Sequence, residues 1–288
     1  MGRPRRASDR RSDHRRAHRA QSAARRNRRR RQVNARDIRT APLPAARSWL
    51  PTVASLRSRF YPDVVGRDPV AAFVRRLERA VKPCDRVLDL GAGAGELNHY
   101  SLKGRVRQLV GVDLDPRVRS NPLLDAGLGA DIYALPFRDN SFDLIFSIYV
   151  LEHVDRPSAL AGEVARVLRP GGRCIFLTPN VYHYVTLLSR LTPTGFHRWI
   201  NEKRGRAADD TFPTCYRLNS RGALTREFGR VGMRKVAIDA IEVQPNYLTF
   251  HPLAYAAGVV FERIVNATSA LSSLRVNLIG TFEKPRCR

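Results

Sequence analysis

Residues 87–96 read VLDLGAGAGE, a short apolar run that ends abruptly in three glycines, Gly91, Gly93 and Gly95, each two positions apart. Glycine allows a sharp reversal and leaves no Cβ between the backbone and a ligand. A strand that runs straight into such a bend points to an α/β sheet, whose ligands sit outside the carboxyl ends of its strands. The rest of the chain keeps that rhythm. Strand-like runs recur at 86–90, 108–114, 142–150 and 173–178, and a last one closes the chain at 276–284. Helical stripes accompany them. Val70, Phe73, Val74, Leu77 and Val81 share one face, and Asp68-Pro69 before them has the form of an N-cap with proline in the first turn. Leu160, Val164, Val167 and Leu168 form a second stripe, closed by RPGG at 169–172; Leu224, Phe228 and Val231 form a third. Strands alternating with helices imply right-handed crossovers, so the expected fold class is α/β, doubly wound and mostly parallel.

The glycine spacing narrows the ligand. A dinucleotide fingerprint requires glycine where Glu96 stands, and a carboxylate at a helix start suits a pyrophosphate poorly. No G-x-x-x-x-G-K-[ST] loop is present, which argues against a nucleotide triphosphatase. Acidic residues fall instead at three successive strand ends. Asp89, two residues before Gly91, suits an amino group. Asp113 stands 22 residues beyond Gly91, where an acid typically takes ribose hydroxyls. Asp131, in GADIYALPF, falls at the expected end of a short third strand, where its carboxylate suits an adenine amine and the Ile132 amide a ring nitrogen. Taken singly, each acid is more simply a helix cap or turn former. In order, the three describe S-adenosylmethionine.

The segments VLDLGAGAGE, VGVDLDP, ADIYALPFRDNSFDLIFSIYVLEHV and VLRPGGRCIFLTPN run from Val87 to Asn180. They resemble class I S-adenosylmethionine-dependent methyltransferases, in particular the type 11 branch that includes ubiquinone- and menaquinone-biosynthesis-like enzymes. That resemblance implies a seven-stranded Rossmann-like sheet with an antiparallel edge strand, its reversed hairpin formed near 235–241 and 276–284. It implies that Asp89, Gly91, Gly93 and Gly95 cradle the methionine part. Asp113 and Leu114 would hold ribose and adenine, Asp131 and Ile132 the adenine edge, and Ser147 would line the pocket near the methyl. The cofactor is then S-adenosyl-L-methionine, and in-line attack on its methyl calls for no metal. Alignment of the reactants can favour such a step by about 7–11 kcal/mol. A hydroxyl acceptor gains further from a base. His153, in VLEHVD, and His183, in TPNVYHYV, follow the fourth and fifth strands and are the candidates; His153 as a mere turn residue stands as an equal alternative. Glu152 reads as a surface carboxylate in a first helical turn. Asn180, Tyr182, Tyr184 and Trp199 are expected around the acceptor, where rings shield a sulfonium or simply pack the lid.

Charge is uneven. Of the formal net charge of +25, residues 1–40 supply 16 arginines against three aspartates. A segment so poor in large apolar residues cannot offset its ordering entropy, so residues 1–44 are expected to be a disordered arginine-rich arm. Such an arm suits nucleic acid or an anionic membrane surface, or is a solvated extension of the kind an over-extended start adds. The excess of 46 arginines over five lysines along the whole chain favours the solvated extension. Residues 45–82 are expected to form an N-terminal helical segment and 83–288 the methyltransferase-like domain. Within it, a helical lid is expected at about 181–216 and a second helical insertion at about 251–275, whose wide apolar face suits covering the pocket, dimerising or touching a membrane, with packing on the lid the favoured reading. No run approaches the roughly 18 apolar residues of a membrane span, and no apolar stretch follows the basic start as in a secretory signal. Cys84, Cys174, Cys215 and Cys287 lack metal-ligand spacing, so reduced thiols and a cytoplasmic location are expected. The expected acceptor is a small or medium, partly apolar molecule (lipid-, quinone- or glycan-like) methylated on oxygen or nitrogen. RNA or protein docked by the arm is the alternative, disfavoured because SIYVLEHV stands where base-amino methyltransferases carry [DN]-P-P-[YFW]. A non-catalytic S-adenosylmethionine-binding module is the third reading.

Overall fold

Helices α1 (Val53–Phe60) and α2 (Pro69–Ala80) lead into the sheet, and each begins where a side chain caps it. Thr52 accepts a hydrogen bond from the Ser55 N–H at 3.2 Å, and Asp68 accepts one from Val70 at 3.1 Å, satisfying donors that no helical carbonyl reaches. The inward face of α2 is Val70, Phe73 and Leu77, the stripe expected from their spacing. The computed structural model describes residues 51–63, 68–95, 101–191 and 213–286, all within one unit, Pro51–Arg288. The arm at 1–44, Glu96, Trp199 and most of the expected lid at 181–216 lie outside the described residues.

Seven strands form one sheet among the described residues: β1 (Arg86–Leu90), β2 (Gln108–Asp113), β3 (Ala126–Gly129), β4 (Phe142–Ile148), β5 (Leu168–Pro179), β6 (Arg234–Ile241) and β7 (Asn277–Glu283). Their order across the sheet is β3-β2-β1-β4-β5-β7-β6. Strands β1 to β5 are parallel, and β7 runs antiparallel to both β5 and β6. The reversed strand therefore sits one place in from the edge, with β6 outermost. After β1 the chain moves outward through β2 and β3, then returns to the other side of β1 as β4. That change of direction opens a crevice at the carboxyl ends of β1 and β4, where a ligand meets no crossover.

Helices cover both faces. Leu88, Leu90, Val110, Val112, Ile145 and Phe176 pack beneath α3 (Pro157–Val167) and α5 (Arg221–Arg230), whose Leu160, Val164, Leu224 and Phe228 are fully buried. Val87, Leu109, Leu144, Phe146, Ile148, Ile175 and Leu177 pack on the other face with α2. Each fully buried Leu or Phe contributes about 1.5–3 kcal/mol by leaving water. Two further helices complete the described chain, α4 (Tyr184–Leu191) after β5 and α6 (Pro252–Ala267) between β6 and β7, the latter within the expected second insertion.

Two local expectations shift. RPGG does not simply end α3: the helix stops at Val167, and Leu168–Gly172 already belongs to β5. A bulge there moves the register from Phe142↔Leu168 to Leu144↔Arg173, with Gly171 in the left-handed region at φ +81°. The third strand ends at Gly129, and Asp131 lies in the turn beyond it. Gly127 is required in β3, because a Cβ there would overlap the Val118 carbonyl oxygen.

Candidate active site

The glycine bend follows β1 directly. Gly91, Gly93 and Gly95 adopt φ of +76°, +55° and +87°, the region that residues with a Cβ avoid. The Gly91 and Ala92 amides donate to the Val112 carbonyl at 2.8 and 3.1 Å, which ties the bend to the end of β2. A Cβ on Gly91 would overlap Val150, and one on Gly95 would stand 2.5 Å from Asn121 Oδ1, but one on Gly93 would meet nothing within 4 Å. Gly93 is the open point of the bend. A cavity of about 190 Å³ lies against it, walled by Asp89, the backbone of Gly91–Gly95, Leu102, Leu109, Asn121 and Ile148.

Asp89 and Asp113 stand at the carboxyl ends of the neighbouring strands β1 and β2, and Asp131 follows β3 in the turn beyond Gly129. Asp89 is 6 % exposed and lines the cavity. Asp113 holds the bend itself: Oδ2 accepts the Gly93 N–H at 2.8 Å and Oδ1 accepts the Asp115 N–H at 2.8 Å. Asp131 caps its own turn, accepting the Tyr133 N–H at 2.9 Å, and faces Arg156 at 3.5 Å. Leu114 projects into solvent at 68 % exposure, and Ile132 is half-buried against the core.

Ser147 departs from expectation. Strand alternation places it on the same face as Ile145, away from Asp89, and buries it with no hydrogen-bond partner for its hydroxyl; Ile148 lines the cavity instead. Beyond Ile148, Tyr149 holds φ +57°, an uncommon conformation for a bulky side chain, at the crevice between β1 and β4. Asn121, which the sequence did not single out, clamps the bend by donating to the Ala92 and Gly93 carbonyls at 3.0 and 3.1 Å.

His153 lies in the short turn after β4, with Nδ1 2.9 Å from the Pro213 carbonyl oxygen. A carbonyl can only accept, so Nδ1 carries the proton and Nε2 of the neutral ring carries the lone pair. Its neighbour Glu152 is not on the surface. It is 7 % exposed, and burial pushes its carboxyl up to about 7, with the Thr178 hydroxyl donating weakly at 3.4 Å. Thr178 in turn accepts from Asn219 at 2.6 Å, and the Glu152 carbonyl accepts the amides of Cys215 and Tyr216.

His183 is deeply buried at 1 % exposure, packed against Tyr184 and Phe261, with Nε2 3.4 Å from Glu242 Oε2. Burial lowers the histidine to about 4 and raises Glu242 to about 8, so both groups favour their neutral forms. Such a ring does not reach an acceptor the way an exposed base does. Asn180 is likewise committed: its side-chain amide donates to the Ser273 and Arg275 carbonyls, and its oxygen accepts from Tyr182 N–H. Tyr182 is exposed, and Tyr184 lies edge-on to Phe261. A second cavity of about 240 Å³ opens at the carboxyl end of β6, lined in part by Tyr61, Arg75, Glu242, Gln244, Glu262 and Asn266. Among the described residues no cluster of His, Cys, Asp or Glu could hold a metal ion.

Residues 88–176 match the family model described as a methyltransferase domain. Over 110 residues the chain is 41% identical to a ubiquinone/menaquinone biosynthesis C-methyltransferase of Teredinibacter turnerae, covering 34% of this chain and 44% of the relative. Over 139 residues it is 30% identical to a ubiquinone biosynthesis O-methyltransferase of Hahella chejuensis, covering 42% and 58%. The chain thus spans about half the length of the curated relatives it matches. Its fold is similar to that of a Haloferax volcanii protein solved with the Trm112 methyltransferase activator, at a TM-score of 0.52 and 19% identity over 82% of this chain and 96% of that one.

Proposed function

We propose, on the premise that residues 88–176 form a class I methyltransferase domain of the type 11 branch, that the chain moves a methyl group from S-adenosyl-L-methionine to an oxygen or nitrogen of a small or medium, partly apolar acceptor. The observation that carries this reading is the cavity beneath the left-handed glycines, with Asp89 in its wall and open space at Gly93. The residues suit the cofactor: a buried carboxylate for an ammonium, glycine backbone that a carboxylate can approach, and an apolar wall from Leu109 and Ile148. When bound, S-adenosylmethionine supplies a methyl already activated by its positive sulfur.

The chain's own residues bind and orient. Asp89 takes the amino group, and Gly91, Gly93 and Gly95 let the backbone close on the methionine part. Each Asp113 oxygen accepts one backbone amide and keeps a lone pair for a ribose hydroxyl, so one side chain shapes the bend and reads the sugar. Leu114 covers the adenine, whose edge meets Asp131 and Ile132. His153 Nε2 takes the proton from a hydroxyl acceptor, its tautomer held by Pro213. His183, with Asn180 and Tyr184, shapes the wall at the end of β5. Tyr182 and Trp199 are assigned to the acceptor side, and the ubiquinone-biosynthesis names of the relatives support a partly apolar acceptor there.

Calorimetric titration with S-adenosylmethionine tests the reading. Gly93→Val and Asp113→Ala should each weaken binding at least tenfold, about 1.4 kcal/mol. Absence of heat under saturating cofactor sinks the proposal. The net charge of +25 supports a second reading, an RNA or protein acceptor docked by residues 1–44. Full methylation by a chain lacking those residues removes it.

A further inference from the structure

Helix α6 turns apolar residues outward. Leu253, Ala257, Val260, Ile264 and Ala267 recur at spacings of three and four, which makes one continuous stripe, and all five are exposed. Leu253 is 64 % exposed, Val260 58 % and Ile264 54 %, and Phe250, 53 % exposed, precedes the first turn. The inward face is already complete. Tyr255 and Val259 pack on Leu56 and Tyr61, and the helix's one acidic residue, Glu262, is buried, accepting from the Tyr61 hydroxyl at 3.0 Å. A helix that is apolar on both faces belongs in an apolar medium on its outer side as well.

The rim of the stripe is basic. Arg263 stands at its edge, where it donates to the Phe60 carbonyl at 3.2 Å, lies over the Tyr61 ring and pairs with the buried Glu262 at 3.4 Å while its side chain stays half exposed. Helix α1, which packs on α6, exposes Arg57 and Arg59. Apolar side chains that enter the acyl boundary, flanked by guanidinium groups that meet lipid phosphates, describe contact with an anionic bilayer. A second copy on this face would bring arginines against arginines, and RNA would leave the apolar stripe in water.

We propose that α6 and the arginines around it dock the protein on an anionic membrane surface, with the helix lying in the plane of the bilayer. Among the described residues no helix is long and apolar enough to cross a membrane, so this contact is peripheral. The inference goes beyond methyl transfer and is read without it.

The test is co-sedimentation of the full chain with vesicles of phosphatidylcholine alone or with added phosphatidylglycerol. Strong partitioning is expected only with phosphatidylglycerol, and it should fall as salt rises. The double variant Val260→Glu/Ile264→Glu should lower partitioning by about tenfold or more, whereas Val260→Lys/Ile264→Lys should lower it less. Both pairs face outward, and thermal unfolding checks that each variant is folded. Equal binding to neutral vesicles overturns the proposal, as does partitioning that the glutamates leave unchanged. So does a dimer dissolved by the glutamates in a protein that ignores vesicles, or capture by RNA with vesicles left unbound.

Discussion

Replacing Glu152 by glutamine should stabilise the protein more at pH 8 than at pH 5. The carboxyl is buried, and burial raises it from 4.5 to about 7 against two opposing hydrogen bonds, from its own backbone amide and from the Thr178 hydroxyl. Between those two values the folded chain keeps a proton that the unfolded chain has released. Stability from this group is therefore greatest in acid, falls as pH rises through that window, and levels off above about 7. This is the reverse of a salt-bridged carboxylate, whose contribution disappears in acid. The gap between 4.5 and about 7 corresponds to about 3 kcal/mol in full, of which about 2.5 kcal/mol falls between pH 5 and pH 8. Glutamine keeps the shape and an oxygen for the Thr178 hydroxyl but cannot ionise. For a chain of this size 1 kcal/mol moves Tm by about 2–4 °C. Thermal unfolding should then show the variant's advantage growing by about 5–10 °C from pH 5 to pH 8. A difference that does not change with pH would refute the assignment of a neutral, desolvated carboxyl, and a variant that fares worse at pH 8 would reverse it.

His153→Ala should leave cofactor affinity intact in calorimetry while lowering methyl transfer by about a hundredfold or more. Metabolite profiling of cells with and without the gene identifies the product by a one-methylene mass shift, and normal product from the variant would make His153 a turn residue only. Gly127→Ala should destabilise by about 1–3 kcal/mol, because its Cβ would overlap the Val118 carbonyl oxygen and backbone must move. Chemical denaturation reads this directly, and an unchanged midpoint would mean that β3 relaxes freely.

Much of the candidate site's geometry was legible because its determinants are local. Three glycines after an apolar run force a bend whatever lies around them, and the acids at 89, 113 and 131 are placed by the lengths of the intervening segments. Helix α2 was readable for the same reason, since Asp68-Pro69 and a three-four stripe act within one turn of each other. Ser147 shows where this stops. In a parallel strand buried on both faces, FDLIFSI offers no alternation of polar and apolar residues, so the side of the sheet each residue faces is invisible until the helices are in place. The same holds for Glu152, whose burial depends on Thr178 in β5 and on amides at 215 and 216, all remote in sequence.

By itself the sequence determined the strand order of events along the chain, the glycine bend and the row of acids, because backbone conformation and short-range spacing decide them. Only the tertiary structure decided which neighbour each long-range group meets. It set β7 between β5 and β6, pressed His183 against Glu242, closed Asn121 over the bend, and turned Glu262 inward while Leu253, Val260 and Ile264 faced out. Burial, and with it the charge state of a carboxyl or an imidazole, is a property of the surroundings and is absent from the residue's own letter.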